Sequence, residues 1–282
     1  LVTGRLVMAA GTNTPVAAIL PFPWKREVDR LLTDGATRIL LDTGGAVPND
    51  AGLGGLRELC LYLHRCQTLL QKGEPVSDML VLGDAPPAAL AGHMCDCANG
   101  VMLDAAFFED GRVGFESERS YRHVAVTAES LRQSDAEKLV RRLASNGVVV
   151  WLVPTGASEE EQVFGRLSQG HGDGAIRRFR EGSGGLPAAD FVWRSDEADM
   201  RLRFLHRQTG EREIYFVVND SEVAGPVECV FRDTGKGVPA RWDPVKGEVG
   251  LLAGNAARLP DGSVRASFFM EPYDACFIVF ER

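Results

Sequence analysis

His93-Met-Cys-Asp-Cys97 is the densest group of metal-ligating residue types in the chain. A structural zinc site takes four ligands, usually two pairs of Cys or His. Here one C-x-C has no obvious second pair, and alternate residues on a strand share a face, so both thiols fit a core equally well. Packing is the expectation, and no metal is assigned. A cysteine nucleophile at a strand-to-helix turn would call for a G-x-C-x-G elbow, and the chain has none; Val148–Val153 runs instead into Pro154-Thr-Gly156. The glycine pairs at Gly44-Gly45, Gly52 to Gly55 and Gly182 to Gly185 lack G-x-G-x-x-G or G-K-[ST] spacing, so no phosphate site and no cofactor is expected. His64, His123 and His206 stand singly in helix or strand patterns and read as structural, and Gly170-His-Gly-Asp-Gly174 reads as a loop. Trp193 and Trp242 are the remaining candidates. An indole offers a flat apolar surface on which a sugar ring can stack, with core packing as the alternative.

Composition bounds the partners. The 282 residues are enough for two ordinary domains, and 45% hydrophobic with 25% charged residues is a globular balance. A net charge of −8 without a clustered basic face argues against nucleic acid. No apolar run reaches the roughly 18 residues of a membrane helix. No signal peptide is visible, and a start at Leu1 rather than Met suggests a processed product or a fragment. Six cysteines in a chain this long do not make a disulfide framework; as buried thiols they mildly favour a reducing, cytoplasmic setting.

The elements follow from periodicity. Pro21 to Trp24 opens a helix with Val28, Leu31 and Leu32 at helical spacing and Gly35 as its stop; Thr37–Asp42 is then a short apolar strand. The first twenty residues show no clean period. Gly55 to Gly73 is the longest helical pattern, with Leu56, Leu59, Cys60, Leu63, Cys66, Leu69 and Leu70 on one stripe. Val76–Leu82, a short strand after His93, Tyr121–Val126 and Val148–Val153 read as parallel strands. Between them fall a short helix near Val101–Ala106, a hairpin at Asp110-Gly111 and a helix from Ser130 to Ser145; Ser158–Leu167 is a further helix. That alternation predicts an open α/β sheet with helices on both faces. Glu181 to Pro187 reads as a linker. Beyond it, Leu202–Arg207 and Glu213–Asn219 are strands joined by a Gly-containing loop. Turns at Trp242–Glu248 and Pro260-Asp-Gly262 follow, and Asp274–Glu281 is a strongly apolar final strand.

Phe204-Leu-His-Arg-Gln-Thr-Gly210, Glu213-Ile-Tyr-Phe-Val-Val-Asn219, Trp242-Asp-Pro-Val-Lys-Gly-Glu248 and Glu271-Pro with Phe277-Ile-Val-Phe280 form a series. It resembles the C-terminal β-sandwich of the α-L-rhamnosidase-like glycoside hydrolases. The resemblance runs from about Trp24 to Arg282. It takes in Glu27, Asp29, Gly35, Arg38 and Ile39, then Tyr62-Leu, Arg65-Cys-Gln67 and Leu69-Leu-Gln71 with Gly73, then Gly83-Asp-Ala-Pro86. It implies a barrel-edge αβ remnant over 1–54, a flavodoxin-like or amidotransferase-like α/β domain over 55–180, and an antiparallel β-sandwich over 188–282.

Hydrolysis of a glycosidic bond needs two carboxyl groups roughly 5–10 Å apart, and in a barrel these stand at the C-terminal ends of strands. The one such end here carries Asp42, a candidate sugar-lining residue with a plain turn role as the alternative. The His- and Trp-rich loop that the resemblance places next is replaced by the small residues Thr43 to Leu53. The resemblance therefore implies a non-catalytic C-terminal portion, or a truncated relative, of a hydrolase acting on plant or microbial polysaccharide. Its partner would be an upstream catalytic barrel or another subunit. A stand-alone carbohydrate-binding or oligomerisation module, homo-oligomeric in the second case, is the other reading.

Overall fold

In the computed structural model the described residues are 3–7, 21–36, 38–42, 50–115, 119–132, 135–156, 160–168, 176–180, 185–232 and 237–282; for 3–7, 21–23, 38, 40–42 and 50–54 only the backbone course is described. The loops expected at 43–49, 170–174 and 181–184 lie outside them. The chain divides into two compact units, 1–76 with 191–282, and 77–190. This differs from the three consecutive segments expected: the helix Pro21–Thr33 touches the strands Leu202–Gln208 and Arg212–Asn219, and the helix Asp50–Leu70 packs on it, so the N-terminal helices share a unit with the C-terminal strands.

The first unit opens with β1 (Thr3–Val7), α1 (Pro21–Thr33) and β2 (Arg38–Asp42). β1 and β2 pair in parallel from Thr3↔Arg38 to Val7↔Asp42, so the opening is a strand–helix–strand crossover. β1 was not legible because a parallel pair does not require alternating hydrophobicity. α2 (Asp50–Leu70) starts five residues before the pattern suggests, so Gly52, Gly54 and Gly55 are helical rather than loop. The chain turns at Gly73, at φ 62, into the two-residue strand β3 (Glu74–Pro75), which pairs with the C-terminal sheet.

The second unit carries β4 (Met79–Leu82), β5 (Cys95–Ala98), α3 (Gly100–Asp104), β6 (Phe107–Glu109), β7 (Arg112–Gly114), β8 (Ser120–Tyr121), β9 (His123–Val126), α4 (Ala136–Ser145), β10 (Val149–Leu152), α5 (Glu160–Ser168) and β11 (Ile176–Arg178). β4, β5, β9, β10 and β11 form one parallel sheet in the order β11-β10-β9-β4-β5. Asp110 and Gly111 both have positive φ, as a two-residue hairpin turn between β6 and β7 demands. Tyr121 belongs to that hairpin's small sheet rather than to β9.

Leu80, Val124 and Val150 face Leu103 of α3, Leu143 of α4 and Leu167 of α5 in one core. The opposite face, with Met79, Val81 and Trp151, is covered by Leu90, Phe179 and Leu186 from non-α segments. Among the described residues the helices therefore lie on one face, not on both. The connection from β4 to β5 carries a single 3-10 turn at Ala88–Leu90.

The remainder of the first unit is β12 (Phe191–Arg194), β13 (Leu202–Gln208), β14 (Arg212–Asn219), β15 (Gly225–Phe231), β16 (Ala240–Asp243), β17 (Glu248–Leu251), β18 (Ala256–Arg258), β19 (Val264–Met270) and β20 (Ala275–Glu281). Two antiparallel sheets, β12-β15-β19-β18 and β17-β16-β20-β14-β13-β3, face each other over a layer containing Tyr215, Ile278 and Phe280 from one side and Phe231, Ala266 and Met270 from the other. β19 alternates buried and exposed without exception, so the outer face of its sheet meets water. β14 and β20 are buried at nearly every position. Their second face is covered too, by α1, which touches β13 and β14 and packs on α2.

Arg207 fastens the end of α2 by donating to the carbonyls of Lys72 (3.0 Å) and Gly73 (2.6 Å). A Cβ on Gly73 would collide with the Gln208 carbonyl, and its left-handed backbone disfavours any side chain. Gly73→Ala is therefore expected to cost more than about 1 kcal/mol, read as a lowered urea midpoint at unchanged m-value.

Candidate functional site

α1 carries a polar row that the apolar pattern conceals. Lys25 and Arg26, Asp29 and Arg30, then Thr33 and Asp34 recur every four residues, which places them along one side of the helix. Three separate elements of the sandwich meet this row. In the turn before β20, the Tyr273 carbonyl accepts from Lys25 Nζ at 2.7 Å, and the Tyr273 ring lies 4.7 Å beneath the Arg26 guanidinium. In the turn after β14, Asp220 accepts from Arg26 Nε at 3.0 Å and from Arg30 Nε at 3.1 Å through both oxygens. From β13, Arg203 donates to Thr33 Oγ1 at 3.0 Å and to Asp34. Burial alone would raise the Asp220 carboxyl, but the hydrogen bonds from Arg30 and Arg26 outweigh it and hold it below the usual carboxylate range.

Asp220 follows Asn219, a fully buried residue with every polar atom satisfied. Asn219 Nδ2 donates to the carbonyls of Val223 (2.7 Å) and Glu271 (2.8 Å). Its Oδ1 accepts from the Ser221 backbone (3.1 Å) and hydroxyl (2.6 Å). It ties the end of β14 to the turns before β15 and β20. Asn219→Ala would strand these groups without water, an expected loss of roughly 2–4 kcal/mol measurable by denaturant titration.

Within the row, Asp29 is the most deeply buried member, 1% exposed. It accepts from Lys25 Nζ at 2.7 Å and from the Tyr62 hydroxyl of α2, so it joins the two helices. Burial lifts its carboxyl to about 6, with Lys25 and Tyr62 pulling back only in part and Asp274 adding to the rise; burial likewise pushes the neighbouring Cys66 thiol upward. The folded state thus binds the Asp29 proton more tightly than the unfolded chain. The group's contribution to stability is greatest below pH 4 and declines as pH rises to about 6. Relative to Asp29→Asn, the native chain should lose on the order of 3 kcal/mol between pH 4 and pH 7, a difference that paired denaturation curves would show. A buried, fully partnered carboxylate of this kind orients helices; it does not reach a substrate.

The residues singled out by sequence fall elsewhere. Asp42 ends β2, at the C-terminal end of the parallel pair. Trp193 pairs with Cys229 and packs, half-buried, against the layer between the sheets. Trp242 pairs with Phe277. Because Cys276, Ile278 and Phe280 point into that layer, Phe277 and Trp242 stand on the other side of the six-stranded sheet. The structure therefore does not bring the two tryptophans into one platform. Cys95 and Cys97 sit at alternate positions of the edge strand β5 and pack against the core beside Trp151; burial pushes the Cys95 thiol up to about 12. Asp96 takes Arg119 (2.9 Å) and Tyr121 (2.5 Å), and Asn99 caps α3. His206 is buried against Glu213 at 2.9 Å and stacks on Tyr215, while His123 accepts from Trp151 Nε1 at 3.2 Å. Among the described residues, no three His, Cys, Asp or Glu side chains are grouped to hold a metal ion. Sequence reading missed the α1 row, although the four-residue spacing of Lys25–Asp29 and Arg26–Arg30 is a visible signal.

Residues 48–253 match the family described as glycoside hydrolase 106, alpha-L-rhamnosidase. The chain belongs to that alpha-L-rhamnosidase family. No curated protein matches it. Among solved structures, the rhamnosidase from Novosphingobium sp. PP1Y superposes with a TM-score of 0.70 at 22% identity, over 94% of this chain and 30% of that one. A catalytic mutant of Gan42B, a GH42 beta-galactosidase from G. stearothermophilus, superposes at 0.50 with 9% identity, over 93% of this chain and 51% of that one. These likenesses concern the fold. This rhamnosidase-family chain spans less than a third of the solved rhamnosidase it matches.

Proposed function

We propose that this chain is the non-catalytic C-terminal portion of a rhamnosidase-like glycoside hydrolase acting on plant or microbial polysaccharide. It works with a catalytic barrel supplied upstream or by another subunit. The observation that carries this reading is the family match over 48–253, together with a superposition that takes in 94% of this chain but 30% of the solved rhamnosidase. The β1–α1–β2 crossover supports a barrel-edge role, since a (β/α) barrel is built from such parallel repeats with its reacting groups at strand C-termini. Asp42 stands at such an end and is the residue of this chain assigned to the sugar side. The sheet order β11-β10-β9-β4-β5, numbered within its own unit, is 2-1-3-4-5, which supports a flavodoxin-like reading of residues 77–190. Amidotransferase-like chemistry is not part of the proposal, because β10 ends in Val153-Pro-Thr-Gly156, without a nucleophile.

Two carboxyl groups must flank the scissile bond, and one strand end supplies at most one. The 282-residue chain alone should therefore release no aryl alcohol from an aryl α-L-rhamnoside, and joining it to an upstream barrel should restore release. Turnover by the chain alone would overturn the proposal. Glycan binding by the chain alone, lost in Trp242→Ala or Trp193→Ala, would favour a stand-alone carbohydrate-binding module instead.

A further inference from the structure

We propose that Asp220 is a positioning residue: through Arg26 and Arg30 it fixes how the β1–α1–β2 crossover is oriented on the sandwich, and with it the strand end at Asp42. The role of that strand end rests on the rhamnosidase reading above; the orientation does not.

The apolar stripe of α1, with Val28 and Leu32 fully buried, already supplies attraction to the sheet. Such attraction is non-directional and tolerates rotation or sliding of the helix. A carboxylate shared by two guanidinium groups is directional, because each N–H must point at a particular oxygen. Its net stabilisation is small, since both charges lose water, so what it adds is register rather than strength. Asp220 is suited to that task by its base. Its own amide donates to the Arg201 carbonyl at 2.8 Å, and it is flanked by Asn219 and Ser221, both buried and bonded to each other. The carboxylate thus projects from a turn held by several buried hydrogen bonds.

The other two fixings have the same character. Tyr273 holds a left-handed backbone, φ 56, that a non-glycine residue adopts only at a cost, and this turn presents its carbonyl to Lys25. Arg203 reaches the last turn of α1 at Thr33. From there Gly35 and Ala36 close the helix through hydrogen bonds to Leu32 and Leu31, leaving a short connection to β2. Fixing α1 from its second turn, at Lys25 and Arg26, to its last, at Thr33, leaves β2 little freedom of direction.

Amide hydrogen exchange on the intact 282-residue chain tests this. Asp220→Ala should speed exchange across residues 24–42 by about tenfold, while β14 and β20 exchange as before. Asp220→Asn, which keeps one acceptor oxygen, should recover part of the protection. Arg26→Lys with Arg30→Lys keeps the charges, loses the planar geometry and should loosen the same residues, so the test survives if Asp220→Ala does not fold. Unchanged exchange in 24–42, or an equal rise throughout the sandwich, would overturn the proposal. When the same substitution is carried in an enzyme with the barrel attached, Asp220→Ala should lower kcat about tenfold at nearly constant KM. Full activity there would also overturn it. A wild-type long enzyme inactive on aryl rhamnosides would sink the rhamnosidase reading instead, and the exchange result would still decide the positioning.

Discussion

The carboxylate of Asp220, held at 3.0–3.1 Å by Arg26 and Arg30, is the contact on which the first unit's arrangement turns. It joins segments nearly two hundred residues apart, and it sits next to Asn219, which knits together the ends of three strands' connections. One residue of the turn closes the sandwich and the next reaches out to the helix. Because they are adjacent, any displacement of the sandwich turn is passed to α1 without intervening flexible chain. Charge pairs at a partly buried site are weak sources of stability but strict about geometry, so the junction specifies orientation.

That junction also accounts for the asymmetry between the two sheets. The four-stranded sheet needs one buried face, and β19 shows it as strict alternation. In the six-stranded sheet the central strands β14 and β20 are covered on both sides, and Ile214 to Val218 and Ala275 to Phe280 are accordingly apolar in both directions, while the edge strand β17 is exposed. Strands buried on both faces need something on the second one. α1 fills that role against β13 and β14, and α2 packs on α1, so both helices belong to the sandwich's unit and not to the α/β unit that α2 immediately precedes.

The α/β unit solves a different problem. Its parallel sheet has one face buried under α3, α4 and α5 and the other under short irregular segments bearing Leu90, Phe179 and Leu186. The Leu90 segment carries a single 3-10 turn between β4 and β5, and Phe179 and Leu186 come from the chain that follows β11. The inner strands β4 and β10 are apolar on both faces, as burial on both sides requires.

The local features of this protein were written in the sequence. The Asp110-Gly111 hairpin, the stripes of α2 and α4, the Gly73 cap and the apolar final strand depend on neighbours within a few residues, and spacing alone reports such neighbours. The motifs from Phe204 to Asn219 and from Trp242 to Glu248 likewise carried the family. Tertiary structure alone decided that β1 pairs with β2, that α2 joins the sandwich's unit by packing on α1, that the helices of the α/β unit share one face, and that Trp193 and Trp242 stand on opposite sides of a sheet. The α1 row lies between these cases. Its spacing was visible, but its partners at Arg203, Asp220 and Tyr273 are far along the chain, and periodicity says which residues share a face, never what that face will meet.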